Sequence, residues 1–293
     1  MSMIQPVYSA YDSSALFYAT CRIVAYQSDG AQYNGTGFFF VYPTEAGKGI
    51  QVLVTNKHVV ANAVSYDLYL HDAAGEPGQD LYPSGKIHGF HVTMLNQGWF
   101  DHPSADVDLC ATPIEPLRQE AERLGKKIFF TTLSTAHVPN EQVLSQLLAL
   151  EPVTMIGYPI GLWDEVNNLP IARRGMTASH PRVDFNQKPI AVVDIAVFPG
   201  SSGSPVLIVD EGVYASPGGF TTGRRLFLLG ILYAGPQFSA DGSLEIRQIP
   251  TTWTARVSVD VFVHLGYYIK SRELFELGKV LFAADAGAQK SED

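Results

Sequence analysis

Two sets of six strand-length stretches constrain this chain more than any other feature. Each is rich in β-branched and aromatic residues and is closed off by Gly, Pro, Asn or Ser. The first set covers residues 19–27, 35–42, 50–55, 65–70, 88–95 and 107–112; the second, after Pro152, covers 153–157, 171–179, 190–195, 205–209, 226–232 and 244–249. Strands at such spacing build antiparallel barrels or sandwiches. Between the sets, residues 116–124 and 140–150 place apolar side chains at helical intervals, and Pro139-Asn140 reads as a helix start. Val261, Phe262, Leu265, Tyr268, Ile269, Phe275 and Leu277 then recur three or four apart, which predicts a C-terminal helix over 258–282. The expected organisation is an N-terminal arm (1–14), a first barrel (15–115), a connecting segment with helices (116–151), a second barrel (152–257), the helix, and a frayed tail (283–293).

Composition narrows the function classes. A chain that is 46% hydrophobic and 17% charged has ample material for a core. Its net charge of −9, with basic residues clustered only as pairs, argues against nucleic-acid binding, which needs grouped Lys and Arg. No apolar run approaches a membrane span, and residues 1–11 have neither the basic nor the apolar region of a secretion signal, so a cytoplasmic location is expected. Two cysteines, Cys21 and Cys110, suit reduced core residues better than a disulfide framework.

The chemistry concentrates in Phe198-Pro199-Gly200-Ser201-Ser202-Gly203-Ser204-Pro205. A nucleophilic serine needs its hydroxyl presented on a constrained turn, with backbone N–H groups aimed at the oxygen that becomes negative. Gly200 and Gly203 permit such a turn, and the Gly200 and Ser202 N–H groups can share one pocket. Among eight histidines, only His58 follows an apolar strand into a polar turn (Val52-Leu53-Val54-Thr55-Asn56-Lys57-His58), as a general base on a barrel rim would. The orienting carboxylate should open another buried strand. Asp106-Val107-Asp108-Leu109-Cys110-Ala111 offers two acids, of which Asp108, followed by small and apolar residues, is preferred. His88 and His91 have metal-like spacing but no evident third ligand, so neither metal nor cofactor is expected.

Taken together, Thr55-Asn56-Lys57-His58-Val59-Val60, Asp108-Leu109-Cys110-Ala111 and Gly200-Ser201-Ser202-Gly203-Ser204-Pro205 resemble, in order, the His, Asp and Ser motifs of chymotrypsin-fold (trypsin-like) serine peptidases. The His and Ser segments are most similar to the bacterial glutamyl endopeptidase and HtrA-type branches. The likeness spans about residues 15–260 and implies an all-β fold of two antiparallel six-stranded barrels with connecting helices and a C-terminal helix. It implies serine endopeptidase activity with Ser202 as nucleophile, His58 as base and then acid, Asp108 as orienting carboxylate, and Gly200 and Ser202 as oxyanion donors. The substrate is then a polypeptide, bound along Leu232, Tyr233, Ala234 and Gly235, with Val197, Phe198 and Pro199 walling the P1 pocket.

The departures from the family pattern carry information. Ser201 stands where the digestive enzymes have an activation aspartate, so activation by insertion of a new N-terminus is not expected. Leu232 replaces the histidine of glutamyl endopeptidases, and a small or medium apolar P1 residue is expected instead. Two rival readings stay open: a catalytically silent peptide-binding module on the same fold, and an esterase using the same triad. A regulatory protein, or a second copy docking on the C-terminal helix, is the further partner left open.

Overall fold

A computed structural model describes residues 13–44, 49–75, 81–93, 98–235, 237–244, 255–262 and 264–289; for 237–244, 255–262 and 287–289 it describes the backbone only. The first half folds into β1 (Thr20–Gln27), β2 (Gln32–Pro43), β3 (Gly49–Thr55), β4 (Ala63–Ala74), β5 (Tyr82–Thr93), β6 (Phe100–Asp101), β7 (Cys110–Pro113), β8 (Ile128–Phe129) and β9 (Leu133–Ser134). The second supplies β10 (Pro152–Gly157), β11 (Ile171–Thr177), β12 (Ile190–Asp194), β13 (Pro205–Ser216), β14 (Gly219–Ala234), β15 (Gln237–Leu244), β16 (Ala255–Phe262) and β17 (Leu265–Lys270). Helices α1 (Lys57–Val60), α2 (Glu115–Arg123), α3 (Glu141–Gln146) and α4 (Glu273–Gln289) connect or flank them.

The first nine strands form one sheet along β5-β4-β1-β2-β3-β7-β6, with β8 on β4 and β9 on β2. The second set closes as a six-stranded barrel, β10-β11-β12-β17-β14-β13. The all-β, two-sheet expectation therefore holds, with more strands in the first sheet than six because short β6, β8 and β9 join its edges and connections. Large apolar side chains fill the seam: Phe38 and Phe40 of β2 and Val52 and Val54 of β3 pack in one buried cluster with Ile156, Leu207, Ile231 and Ile269 of the barrel. A β2 reading Phe38-Phe39-Phe40 can be apolar on both faces because Phe39 turns into a second cluster, inside the first sheet, with Cys21, Leu53 and Cys110. Both cysteines are free and fully buried there; burial raises the Cys21 thiol to about 12 and Cys110 well above its ordinary value.

The C-terminal expectation needs correction. Residues 265–270 are a barrel strand, β17, paired with both β12 and β14, and the helix begins at Glu273. The three-and-four spacing arose because a strand between two neighbours buries residues on both faces, so Leu-Gly-Tyr-Tyr-Ile has no clean alternation. The helix continues through residues expected to fray, to Gln289. It also reaches back to the first sheet: Tyr42 of β2 donates its hydroxyl to the Leu274 carbonyl at 2.8 Å, and a Cβ on Gly278 would lie 2.7 Å from the Tyr42 ring. The expected strand at 244–249 falls beyond Leu244 outside the described residues, as do residues 1–12 of the arm.

Candidate active site

Each side chain of Thr55-Asn56-Lys57-His58, at the end of β3, has its own anchor. Thr55 Oγ1 donates to the Thr36 carbonyl at 2.7 Å, and Asn56 Nδ2 donates to the Asp108 carbonyl at 2.8 Å. Lys57 Nζ donates to the carbonyls of His102 (3.2 Å) and Ser104 (3.0 Å), pinning the loop that leads into Asp108. Asp108 then grips His58 twice: Oδ2 lies 2.5 Å from Nδ1 and Oδ1 accepts the His58 backbone N–H at 3.1 Å. A carboxylate fixed at both oxygens holds the ring orientation and keeps the proton on Nδ1, leaving Nε2 as the free base. Asp106 is exposed, and of the two acids it is Asp108 that bonds His58. Burial pushes the Tyr233 phenol upward, with smaller contributions of the same sign from Tyr267 and Asp108.

The serine loop is a self-closed turn. Ser201 N–H donates to the Phe198 carbonyl at 3.0 Å, and the Ser201 hydroxyl accepts the Phe198 N–H at 3.3 Å. Pro199 in the second position and Gly200 at φ +85° in the third make it a type II turn. Ser201 is fully buried, and its hydroxyl bond stays within the turn. Among the described residues, neither the Gly200 nor the Ser202 N–H has an acceptor within the chain, as donors awaiting an oxyanion must. Ser202 itself is half-buried, and its Oγ has no hydrogen bond among the described residues.

Thr36, which sequence reasoning missed, ties this loop to the first sheet. Its N–H donates to the Ser202 carbonyl at 2.9 Å and its hydroxyl to the Gly200 carbonyl at 2.9 Å, while the same hydroxyl accepts the Tyr158 N–H at 3.1 Å. A Cβ on Gly203 would fall 1.8 Å from the Thr36 carbonyl, so only glycine lets the two backbones come this close. The sole sequence signal for Thr36 was its place in Gly35-Thr36-Gly37, a small-residue break in an aromatic strand.

Behind the serine loop, Gly203 N–H donates to the Leu232 carbonyl (2.8 Å) and Leu232 N–H to the Ser204 carbonyl (2.9 Å), which brings β14 alongside. Val197 packs between two glycines: a Cβ on Gly235 would meet Val197 Cγ1 at 3.2 Å, and one on Gly266 would meet Cγ2 at 2.8 Å. Gly266 was hidden by the mistaken helix. Pairing of β13 with β14 ends at Pro205↔Ile231, so Tyr233, Ala234 and Gly235 extend past β13. Arg173 turns inward on β11 and donates Nη1 to the Ala196 carbonyl at 2.6 Å. Its Nε and Nη2 are buried without partners among the described residues, and desolvation lowers its pKa to about 10, which leaves it cationic at neutral pH.

His88 and His91 fall on opposite faces of β5 and bond Lys126 and Asp67 respectively, so the metal-like spacing brings nothing together. Among the described residues no group of three His, Cys, Asp or Glu side chains could hold a metal ion.

Two packed sheets, one carrying the Asp108–His58 pair and the other a Gly-Ser turn tied to the first sheet through Thr36, are the arrangement of the chymotrypsin-like class. The chain belongs to the family described as the trypsin-like peptidase domain, whose model matches residues 35–215 and so takes in His58, Asp108 and Ser202. Compared with the curated proteins, the chain matches none. No helix among the described residues is long and apolar enough to cross a membrane.

Proposed function

We propose that the chain is a serine endopeptidase. The observation that carries this reading is the combination of a doubly held Asp108–His58 pair with a turn that leaves the Gly200 and Ser202 N–H groups unpaired. Ser202 Oγ attacks the scissile carbonyl as His58 Nε2 takes its proton, and the oxygen that becomes negative receives the two N–H groups. His58 then passes the proton to the leaving amine, and water, activated by the same nitrogen, hydrolyses the acyl-enzyme. Asp108 keeps Nδ1 protonated and steadies the imidazolium. The substrate backbone pairs with Tyr233–Gly235 as an added strand, which favours peptides over simple esters. Among the family's branches, the resemblance of the Thr55–Val60 and Gly200–Pro205 segments to those of glutamyl endopeptidases and HtrA-type enzymes supports a reading in that group.

Val197 sets the P1 preference. By filling the space between Gly235 and Gly266 it leaves room for a small side chain such as Ala or Val, and the Arg173 cation behind Ala196 disfavours Lys and Arg. Labelling with a fluorophosphonate probe tests the nucleophile: the native protein should be modified and Ser202→Ala should not. An unlabelled native protein would leave the silent-module reading standing, and labelling that persists in Ser202→Ala would move the nucleophile elsewhere.

A further inference from the structure

A strained residue outside the triad faces the oxyanion turn. Ile160 has φ 54° and ψ 22°, a left-handed conformation that β-branched residues rarely adopt. Side-chain packing does not account for it, since Ile160 is 68% exposed. The backbone does. In this conformation the Ile160 N–H donates to the Pro199 carbonyl at 2.6 Å, and the turn is held by Gly161 N–H to the Tyr158 carbonyl (3.2 Å) and Leu162 N–H to the Pro159 carbonyl (2.7 Å).

The Pro199 carbonyl and the Gly200 N–H belong to one planar trans peptide, so they point in opposite directions. That peptide is the central unit of the Phe198–Ser201 turn, and rotating it by half a turn is what separates type II from type I. Pro199 is compatible with either form. In type I the Gly200 N–H would leave the pocket and the Pro199 carbonyl would enter it. We infer that Ile160 is a positioning residue: its N–H clasps the Pro199 carbonyl and so holds the Gly200 N–H toward the substrate oxygen. The approach is close enough that a Cβ on Gly200 would lie 2.5 Å from the Tyr158 carbonyl and 3.3 Å from the Ile160 nitrogen. The clasp replaces remote activation, since it needs no new N-terminus and no buried aspartate at Ser201.

This rests on the peptidase reading, and two variants separate the two ideas. Ile160→Pro removes the N–H and cannot take a positive φ; Ile160→Gly keeps the N–H and takes that φ freely. With a peptide substrate, Ile160→Pro should lose about 10²–10³ in kcat, the scale of one oxyanion donor, with KM changed less than threefold. Its affinity for a peptide aldehyde, whose hemiacetal oxygen occupies the same pocket, should fall by a similar factor. Ile160→Gly should keep kcat within about threefold of the native protein. Crystal structures read the turn regardless of activity: type II is expected in the native protein and Ile160→Gly, type I in Ile160→Pro. A type II turn retained in Ile160→Pro, or a kcat loss in Ile160→Gly as large as in Ile160→Pro, would overturn the clasp. An inactive native protein whose turn still depends on residue 160 would support the clasp and sink the peptidase reading.

Discussion

The Thr36 N–H donates to the Ser202 carbonyl at 2.9 Å, so a strand of the first sheet holds the backbone of the Gly-Ser turn that leads into the second. The Thr36 hydroxyl adds the Gly200 carbonyl and the Tyr158 N–H to the same knot. Thr36→Val keeps the shape and the backbone bond but leaves both buried groups unpaired, at on the order of 1–3 kcal/mol each. We expect urea unfolding to show that loss, and peptide hydrolysis to fall as the loop loosens. Thr36→Ser restores the hydroxyl and should recover most of both. Equal stability of Val and Ser variants would mean the hydroxyl bonds contribute nothing.

Asp108 grips both the ring and the backbone N–H of His58, whereas Asp106 is exposed. Asp108→Asn presents an N–H₂ group to Nδ1 and favours the wrong tautomer, so kcat should drop by about 10⁴. Asp106→Asn should change it by less than twofold. Steady-state kinetics on both variants decide the assignment, and the reverse pattern would transfer the role to Asp106.

How much of this was legible in the sequence depended on the range of the forces involved. The strands of the first sheet were readable because Phe38-Phe39-Phe40 and Val52-Leu53-Val54 carry local β character, and the three site motifs because each is a short contiguous segment. Three other features were set by distant partners. Thr36 matters through residues more than a hundred positions away, Arg173 is turned inward by the Ala196 carbonyl, and the left-handed Ile160 is held by its bond to Pro199. The helix assigned over β17 failed for the same reason. Period alone cannot separate a helix from a strand buried on both faces, and only pairing with β12 and β14 settles it.

Val197 lies between Gly235 and Gly266, and under the proposed function its size governs the P1 pocket. Val197→Ala removes two methyl groups from that space. Discrimination between Phe and Ala at P1, measured as a ratio of kcat/KM values, should shift toward Phe by about 10- to 200-fold, the range expected for such volume changes. An unchanged ratio would place the P1 pocket elsewhere.

His71 ties stability to pH. It is buried on β4 with its ring edge-on to Tyr18 at 4.8 Å, and burial lowers its pKa below the ordinary 6.5, outweighing an Asn168 backbone bond and the Asp72 charge that act to raise it. Below about pH 6.5 the unfolded chain therefore takes up a proton that the native state refuses. Stability should be full above that pH and decline as pH falls from it toward the lower native value. His137, lowered by burial as well, adds a decline of the same sign. The acidic Asp184, lowered by its bonds to Arg272 and Lys270, contributes stability that is lost only below its ordinary 3.8. Thermal unfolding of His71→Gln should show a shallower fall in Tm between pH 7 and about 5 than the native protein. An identical slope would assign the acid sensitivity to other groups.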